Sequence, residues 1–217
     1  MKQILIATTN PGKIMTAKKI LGRLGYEGLS FADLNLHPDE PDETQTTAEK
    51  IAAEKALGYA KQIKDLPVLT RDDTNVLIGV DEEDDPKNHN KAFVEKRAGK
   101  YTDENGAKVF AEVARKYGGE IPTQFNWGYA LGWHKGDEIK VVSTIVSTDP
   151  ARIKIVDQIC DKKVPGFCFA PVMKVRINDE WKYDPELTDD EQWTAYWNFQ
   201  ADGIKSLLDQ YEADIKG

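Results

Sequence analysis

The order of apolar and polar positions along the chain predicts a strand, a polar turn and a helix at its start. Ile4–Ala7 is a short continuous apolar run, which favours a strand buried on both faces. Apolar residues then recur at helical spacing from 14 to 24, with Asn10 as N-cap, Pro11 at the first helical position and Gly25 after the last turn. The chain therefore opens like an α/β protein.

The same reading predicts further strands and helices over most of the chain. Strands are predicted at 28–34, 66–70, 123–133, 138–147 and 172–177, and helices from Thr46 or Thr47 to about Lys64, from Thr102 to Tyr117, and from Asp189 onward. The stretches 37–43 and 80–91 are rich in charge and read as loops. Because no linker or repeat divides the chain, residues 1–217 are interpreted as a single domain.

Composition limits the classes of protein to consider. The chain has 217 residues, 40% of them hydrophobic, which is enough for a packed core, and a net charge of −8 disfavours binding to nucleic acid. No run approaches the roughly 18 apolar residues of a membrane span. The first strand follows directly on Lys2 and Gln3, which leaves no room for a signal peptide and predicts a cytoplasmic protein. Cys160 and Cys168 are expected to be free, buried thiols, with a disulfide or a zinc site as the alternatives.

The turn at residues 8–13 carries the first candidate chemistry. The N–H groups at the start of the helix, its positive dipole end and the ammonium of Lys13 converge there, and Thr8 and Asn10 add polar side chains. Such a point is a natural anion site. The alternative is a plain connection between strand and helix, and the spacing of a P-loop is absent.

Two adjacent acids follow the predicted strand at 66–70. Buried carboxylates are costly unless they are paired or used, and neighbouring strand residues face opposite ways, so Asp73 is assigned to the cleft and Asp72 to its support. An ordinary acidic turn is the alternative. In the loop at 37–43, Glu43 is the preferred metal-facing carboxylate, against the alternative of a solvated loop, and Lys55 on the next helix could point either way.

Aromatic residues mark two other stretches. In the strand at 123–133 they alternate onto one face with Trp127 and Trp133, which favours a core or an interface. The loop at 165–171 holds Phe167 and Phe169 between Gly and Pro residues, an arrangement typical of side chains that pack on a flat group.

Three segments match one family in the same order: Thr8-Thr9-Asn10-Pro11-Gly12-Lys13, Asp72-Asp73-Thr74-Asn75-Val76 and Gly166-Phe167-Cys168-Phe169-Ala170-Pro171. They are similar to the phosphate-holding Thr-Gly-Asn-x-x-Lys turn, the acidic Asp-Asp-Ser-Gly-Leu segment and the base-wrapping Gly-Phe-Gly-Tyr-Asp-Pro loop of inosine triphosphate pyrophosphatases. Glu43-Thr44 and Lys55 are weaker matches. The chain thus resembles the family of non-standard purine NTP pyrophosphatases, which use magnesium to hydrolyse nucleoside triphosphates to monophosphate and pyrophosphate.

The resemblance implies an α/β fold with an elongated, mixed, twisted sheet, flanking helices and two lobes around a central cleft, and a homodimer. It implies a nucleoside triphosphate substrate and Mg²⁺ as cofactor. The implied site residues are Asp73 and Asp72 for catalysis, Asp73 and Glu43 for the metal, Thr8, Thr9, Asn10, Lys13 and Lys55 for phosphate, and Phe167, Phe169 and Trp197 for the base.

The chain departs from the family at the positions that read the base. Ala170 replaces the loop aspartate, and Tyr196-Trp197-Asn198 stands where the family has Ser-His-Arg. A site without those polar groups no longer penalises the wrong base. Two alternatives therefore stay open: a catalytically degenerate protein that binds or senses a nucleotide, and a pyrophosphatase specific for pyrimidine or modified nucleotides.

Overall fold

The computed structural model describes residues 2–86 and 89–216 and contains both helices and strands. The strands are β1 (Lys2–Ile6), β2 (Tyr26–Ser30), β3 (Val68–Leu77), β4 (Glu120–Lys135), β5 (Glu138–Ser147), β6 (Ile153–Val156), β7 (Met173–Ile177) and β8 (Glu180–Tyr183). The helices are α1 (Pro11–Arg23), α2 (Ala48–Gln62), α3 (Asn90–Ala98), α4 (Asp103–Lys116), α5 (Asp189–Gln192) and α6 (Asn198–Lys216). The predicted α/β class is confirmed.

The chain forms two compact units. The first comprises Met1–Asp73, Trp127–Val146 and Phe199–Gly217, and the second comprises Thr74–Asn126 and Ser147–Asn198. Strands β3 and β4 each run from one unit into the other. That residues 1–217 form a single domain stays a prediction.

The sheet of the first unit is built around β1. This strand pairs in parallel with β2, with Ile4 opposite Gly28, and with β3, with Leu5 opposite Val68. Ile4 and Leu5 are fully buried, because a central parallel strand is covered on both faces. Strand β4 follows β3 in the sheet, and β5 pairs with β4.

Helix α2 lies unusually close to β4. A Cβ atom added to Gly128 would come within 2.1 Å of the carbonyl carbon of Ala48, and one added to Gly132 within 2.9 Å of the carbonyl oxygen of Ala56. Ala52, Ala56 and Ala130 form the apolar contact. Small side chains on both surfaces therefore set the position of α2, the helix that carries Lys55.

The second unit contains antiparallel pairs. Strand β6 pairs with β4 and β7, and β7 pairs with β8, all antiparallel. Helix α4 begins after Thr102, whose hydroxyl accepts the N–H of Asn105 at 3.0 Å, and its Phe110 is fully buried. Parallel and antiparallel pairs together confirm the predicted mixed sheet.

Several sequence predictions need correction. The strand predicted to end at Thr70 continues through Asp72 and Asp73 to Leu77, and the strand at 28–34 ends at Ser30. For the aromatic face of β4, which was predicted to be core or interface, the core alternative is confirmed, because Trp127 and Trp133 are 5% and 4% exposed.

The charged segment at 80–91 also differs from the predicted solvated loop. Asp84 is buried and accepts hydrogen bonds from Arg97 at 3.0 Å, Lys116 at 2.6 Å and the Tyr117 hydroxyl at 2.8 Å. Helix α3 already begins at Asn90. Lys87 and Asn88 lie outside the described residues.

The final helix is interrupted. A π-helical turn at Trp193–Trp197 separates α5 from α6, where a single helix was predicted. Both cysteines are free, as predicted, but only Cys168 is buried and Cys160 is half-buried.

Candidate functional site

The turn between β1 and α1 has the predicted helix cap. The Asn10 side chain accepts the N–H of Lys13 at 3.1 Å, and the Asn10 N–H donates to the Thr8 hydroxyl oxygen at 3.2 Å. Pro11 occupies the start of the helix. The Thr8 hydroxyl therefore keeps its proton for a ligand, beside the positive end of α1.

Strand β3 brings Arg71, Asp72 and Asp73 to this turn. Arg71 holds Asp73 through two hydrogen bonds, from Nε to Oδ1 at 2.5 Å and from its terminal nitrogen to Oδ2 at 3.0 Å. The Nζ of Lys13 lies 3.7 Å from Asp73 Oδ2 and 4.0 Å from Asp72 Oδ1. Lys13 thus stands between the two acids.

Helix α2 contributes Lys55 to the same cluster. Its Nζ lies 3.3 Å from Asp72 Oδ1 and 2.6 Å from Glu43 Oε1, and its side chain is only 15% exposed. The structure answers the open question of its direction: Lys55 points towards the acids. It also places the Glu43 carboxylate against this ammonium.

The pKa values of these charged groups are shifted by burial and by their contacts with one another. Burial raises the pKa of Asp72, an effect that the cations Lys13 and Lys55 reduce and the neighbouring Asp73 increases. Burial acts in the same direction on Asp73, but Arg71 and Lys13 outweigh it and hold the pKa of that carboxyl below its usual value. The pKa of Lys55 is raised despite its burial, because Glu43 and Asp72 stabilise the ammonium.

Arg71 is a site residue to which the sequence analysis assigned no role. Its guanidinium lies 5.8 Å from the ring centre of Trp127 and 5.9 Å from that of Tyr129, both on β4. The signal was present in the sequence, because residues two apart on a strand share a face and Asp73 had been singled out. Rings and carboxylate together fix the guanidinium.

The cations open into one cavity of the first unit. Its volume is about 460 Å³, within the range of about 300 to 1,000 Å³ common for small-molecule sites. It is lined by Ala7, Thr8, Thr9, Lys13, Phe31, Ala32, Leu36, His37, Pro38, Glu40, Lys55, Tyr59 and Arg71. All three cations of the cluster and both threonines of the turn therefore line the same space.

The donors fit a hard divalent cation. Asp72, Asp73 and Glu43 offer only oxygen atoms, and Mg²⁺ is usually bound by one or two carboxylates together with substrate phosphates. Asp72 and Glu43 already converge on one cation, the Lys55 ammonium. Over residues 2–86 and 89–216, no group of three or more His, Cys, Asp or Glu side chains forms a metal site by itself. The phosphates of a ligand would have to complete the coordination.

The residues predicted to contact a base belong to the second unit. Phe169 is 4% exposed and packs on Phe110, with ring centres 4.3 Å apart, and Trp197 is also 4% exposed. Phe167 is half-buried, 6.2 Å from the Phe125 ring, and lines a separate cavity of about 200 Å³. Their role towards a base stays a prediction.

Fold and cluster together define an α/β protein with a cationic pocket beside paired acids, next to the end of a central parallel strand. Residues 4–147 match the Ham1 family, and the chain belongs to that family. The predicted resemblance to the family of nucleoside triphosphate pyrophosphatases is confirmed, because relatives of this chain are named dITP/XTP pyrophosphatases.

The chain is similar to a dITP/XTP pyrophosphatase of Bacillus subtilis (strain 168), with 29% identity over 215 residues, 98% of each chain. A dITP/XTP pyrophosphatase of Rhizobium meliloti (strain 1021) is 46% identical over 77 residues. That match spans 36% of this chain and only 34% of the relative, about a third of its length.

Two solved structures confirm the fold. The Ham1 protein of Staphylococcus aureus has a TM-score of 0.62 at 21% identity, covering 98% of this chain and 100% of the other. A HAM1 protein of Coxiella burnetii has a TM-score of 0.63 at 16% identity, covering 97% and 100%. In the part of the chain that the structure describes, no helix has the length and apolar character needed to cross a membrane.

Proposed function

We propose that this protein hydrolyses a non-standard nucleoside triphosphate to the nucleoside monophosphate and pyrophosphate. The observation that carries the proposal is that Lys13, Lys55 and Arg71 line one cavity and are ion-paired with Asp72 and Asp73 beside it. Cations suit a phosphate chain, and adjacent acids suit a metal and a water molecule. The similarity to dITP/XTP pyrophosphatases supports this choice of substrate.

Each residue has a role that its position allows. Lys13, Lys55 and the hydroxyls of Thr8 and Thr9 bind phosphate oxygens, and Asn10 fixes the turn that presents them. The cations thereby stabilise the charge that develops on the leaving pyrophosphate.

The carboxylates bind the metal and orient the attacking water. Asp73 and Glu43 would hold Mg²⁺, which would supply Lewis-acid activation of the phosphate and a more acidic water. Asp73, supported by Asp72, orients the water for attack on the α-phosphorus. A bond forms from the water oxygen to that phosphorus, and the bond from the α-phosphorus to the bridging oxygen breaks. Phe167, Phe169 and Trp197 are expected to contact the base.

The test is pyrophosphate release from a panel of nucleotides, scored separately from orthophosphate. The panel contains ITP, dITP, XTP, dUTP and the standard NTPs, each with and without Mg²⁺. Magnesium-dependent pyrophosphate from ITP, dITP or XTP supports the proposal, and turnover of dUTP alone would indicate a pyrimidine-specific enzyme. Release of orthophosphate without pyrophosphate would contradict the chemistry.

A protein that binds a nucleotide without hydrolysing it is the second candidate. The observation that favours it is the base loop, where Ala170 stands in place of an acid and is fully buried. A nucleotide that raises the melting temperature but yields no pyrophosphate would establish this candidate. A homodimer and a cytoplasmic location remain expectations from the sequence.

A further inference from the structure

A buried tyrosine of the first unit lies between the Arg71 guanidinium and the start of α6. Tyr129 is 1% exposed, and its hydroxyl donates to Oε1 of Gln200, a side chain of α6 that is also 1% exposed. Burial raises the pKa of this phenol, and a hydrogen bond with the Arg71 side chain reduces the rise. Gln200, Tyr129, Arg71 and Asp73 are thus connected by hydrogen bonds, and together they are here called the buried network.

The direction of these hydrogen bonds follows from the groups that form them. An amide oxygen only accepts, so the Tyr129 proton goes to Gln200, and a lone pair of the phenol oxygen is left for Arg71, which only donates. Burying a hydroxyl costs free energy unless it is hydrogen-bonded, and this hydroxyl is bonded both as donor and as acceptor. Arg71 in turn donates to both carboxylate oxygens of Asp73. The network therefore ends at the carboxylate that is assigned to the attacking water.

Helix α6 gives the network a fixed end. Near its start the helix lies so close to β5 that a Cβ atom added to Gly203 would come within 2.7 Å of a methyl carbon of Val146. Near its end Asp214 accepts the indole N–H of Trp133, on β4, at 2.9 Å. Because both ends of the helix are tied to the sheet, the position of Gln200 is set by the scaffold and not by its own side chain.

We propose that Tyr129 and Gln200 are positioning residues that act through Arg71 on Asp73. The aromatic rings on β4 attract the Arg71 guanidinium, whereas a hydroxyl bonded to one of its edges also sets its rotation. Arg71 occupies one lone pair on each Asp73 oxygen, so the others stay available for a metal or a water molecule. The inference rests on the proposed function in one respect, that Asp73 orients the attacking water.

The first measurement observes Arg71 directly in the full chain without nucleotide, and so needs no turnover. The Nε–H of Arg71, which donates to Asp73, is followed by proton–nitrogen correlation NMR, and its exchange with water is timed. Arg71→Lys identifies the signal by its loss. Tyr129→Phe removes only the hydroxyl, and Gln200→Leu removes the acceptor that orients it.

The matched control is Tyr26→Phe. Tyr26 also belongs to the first unit and also donates its hydroxyl proton to a side chain, that of Glu212, but it does not line the cavity. Melting temperatures of all variants check that they are folded.

We expect the Arg71 Nε–H to exchange roughly tenfold faster in Tyr129→Phe and in Gln200→Leu, the effect of losing one hydrogen bond to a charged group. Tyr26→Phe should change the rate less than about twofold. An unchanged rate in Tyr129→Phe would overturn the proposal. A faster rate in Tyr129→Phe with an unchanged rate in Gln200→Leu would overturn the role of Gln200.

The second measurement is a double-mutant cycle on pyrophosphate release. We expect Tyr129→Phe to lower kcat roughly five- to tenfold while KM stays within about twofold, because a misplaced carboxylate slows the attack of water without weakening phosphate binding. Arg71→Lys keeps the positive charge but lacks the planar fork that bonds Asp73 and Tyr129 together. In the Arg71→Lys background, Tyr129→Phe should therefore lower kcat no further.

A tyrosine with a merely structural role would lower kcat by the same factor in both backgrounds. That result, or an unchanged kcat in Tyr129→Phe, would contradict positioning through Arg71.

The two measurements separate this inference from the proposed function. Faster exchange in Tyr129→Phe together with no pyrophosphate release by the parent protein would refute the hydrolysis and keep the hold of the network on Arg71. Pyrophosphate release by the parent with unchanged exchange and kcat in Tyr129→Phe would refute the positioning and keep the hydrolysis.

Discussion

Asp73 shows how one side chain depends on its neighbours for its charge. It is held between the Arg71 guanidinium, which binds both carboxylate oxygens, and the Lys13 ammonium at 3.7 Å. Asp72, its neighbour in β3, has the opposite shift, because burial outweighs the two lysines that it faces. Two adjacent residues of the same type thus differ in the ease with which they carry charge.

Replacing Asp73 tests its assigned role. Asp73→Asn keeps the shape of the side chain but removes its negative charge, so we expect pyrophosphate release to fall about 100-fold or more. The melting temperature and circular dichroism should show that the fold is retained. Asp137→Asn, at an exposed turn, serves as control and should be fully active. Undiminished turnover in Asp73→Asn would refute the assignment.

Asp184 gives a prediction of pH dependence in the second unit. It is 2% exposed, and burial raises its pKa to about 6, although the Tyr196 hydroxyl donates to it and reduces the shift. A raised carboxyl pKa means that the folded state binds the proton more tightly than the unfolded state. This contribution to stability is complete below about pH 4 and is lost as the pH rises through 6.

Asp184→Asn removes this titration. The free energy of unfolding of the variant minus that of the parent should therefore increase by up to about 3 kcal/mol as the pH rises from 4 to 7. Urea denaturation at pH 4, 5, 6 and 7 measures the difference. The exposed Asp161→Asn should show no such trend, and a difference that is constant with pH would contradict the prediction for Asp184.

At the scale of elements, the approach of α2 to β4 is the most demanding contact. A Cβ at Gly128 would lie 2.1 to 2.3 Å from backbone atoms of Ala48 and Glu49, which cannot move without displacing the helix. We expect Gly128→Ala to cost at least about 3 kcal/mol of stability, the upper end for overpacking.

The control for Gly128→Ala is Gly22→Ala. Gly22 lies in α1 with nothing within 4 Å of an added Cβ, so alanine there should stabilise by roughly 0.5 to 1 kcal/mol. Chemical denaturation of both variants gives the comparison. Equal stability of the two variants would refute the steric argument.

Elements with strong local signals were predictable from the sequence. Helix α1 has its predicted cap at Asn10, Thr47 caps α2, and β5 has the predicted bounds. Elements without such signals were missed. Helix α3 begins without a side-chain cap, and β6 has only four residues. Strand β8 is half-exposed and is positioned by its pairing with β7. Tertiary pairing, which no local pattern encodes, decides such segments.

The candidate site was partly predictable from the sequence, because some of its residues lie in segments with strong local signals. Lys13 was found because it lies in the first turn of a predicted helix, and Asp72 and Asp73 because they are adjacent acids after a buried strand. The structure brings them together with Lys55 and Glu43. The part of the cavity formed by Leu36, His37 and Pro38 was not found. These residues lie in a loop without periodicity, and the position of the loop follows from contacts with α2 that only the folded chain reveals, such as Pro41 on Gly58.

At the scale of the whole molecule, the two units share strands. Each unit is assembled from separate segments, and β3 and β4 supply part of the sheet to both. A unit that unfolds would take with it strands that the other needs. We therefore expect the chain to unfold in one cooperative transition, as a single domain does.

The tryptophans make this testable, because Trp127 and Trp133 belong to the first unit and Trp181, Trp193 and Trp197 to the second. One variant replaces the first pair with phenylalanine, and the other replaces the remaining three. Within each variant, tryptophan fluorescence then reports one unit while circular dichroism reports the whole chain. Coincident urea transitions in both variants would support a single domain. A urea midpoint by fluorescence that clearly differs from the midpoint by circular dichroism would mean that one unit stays folded after the other has unfolded. That result would contradict a single cooperative transition.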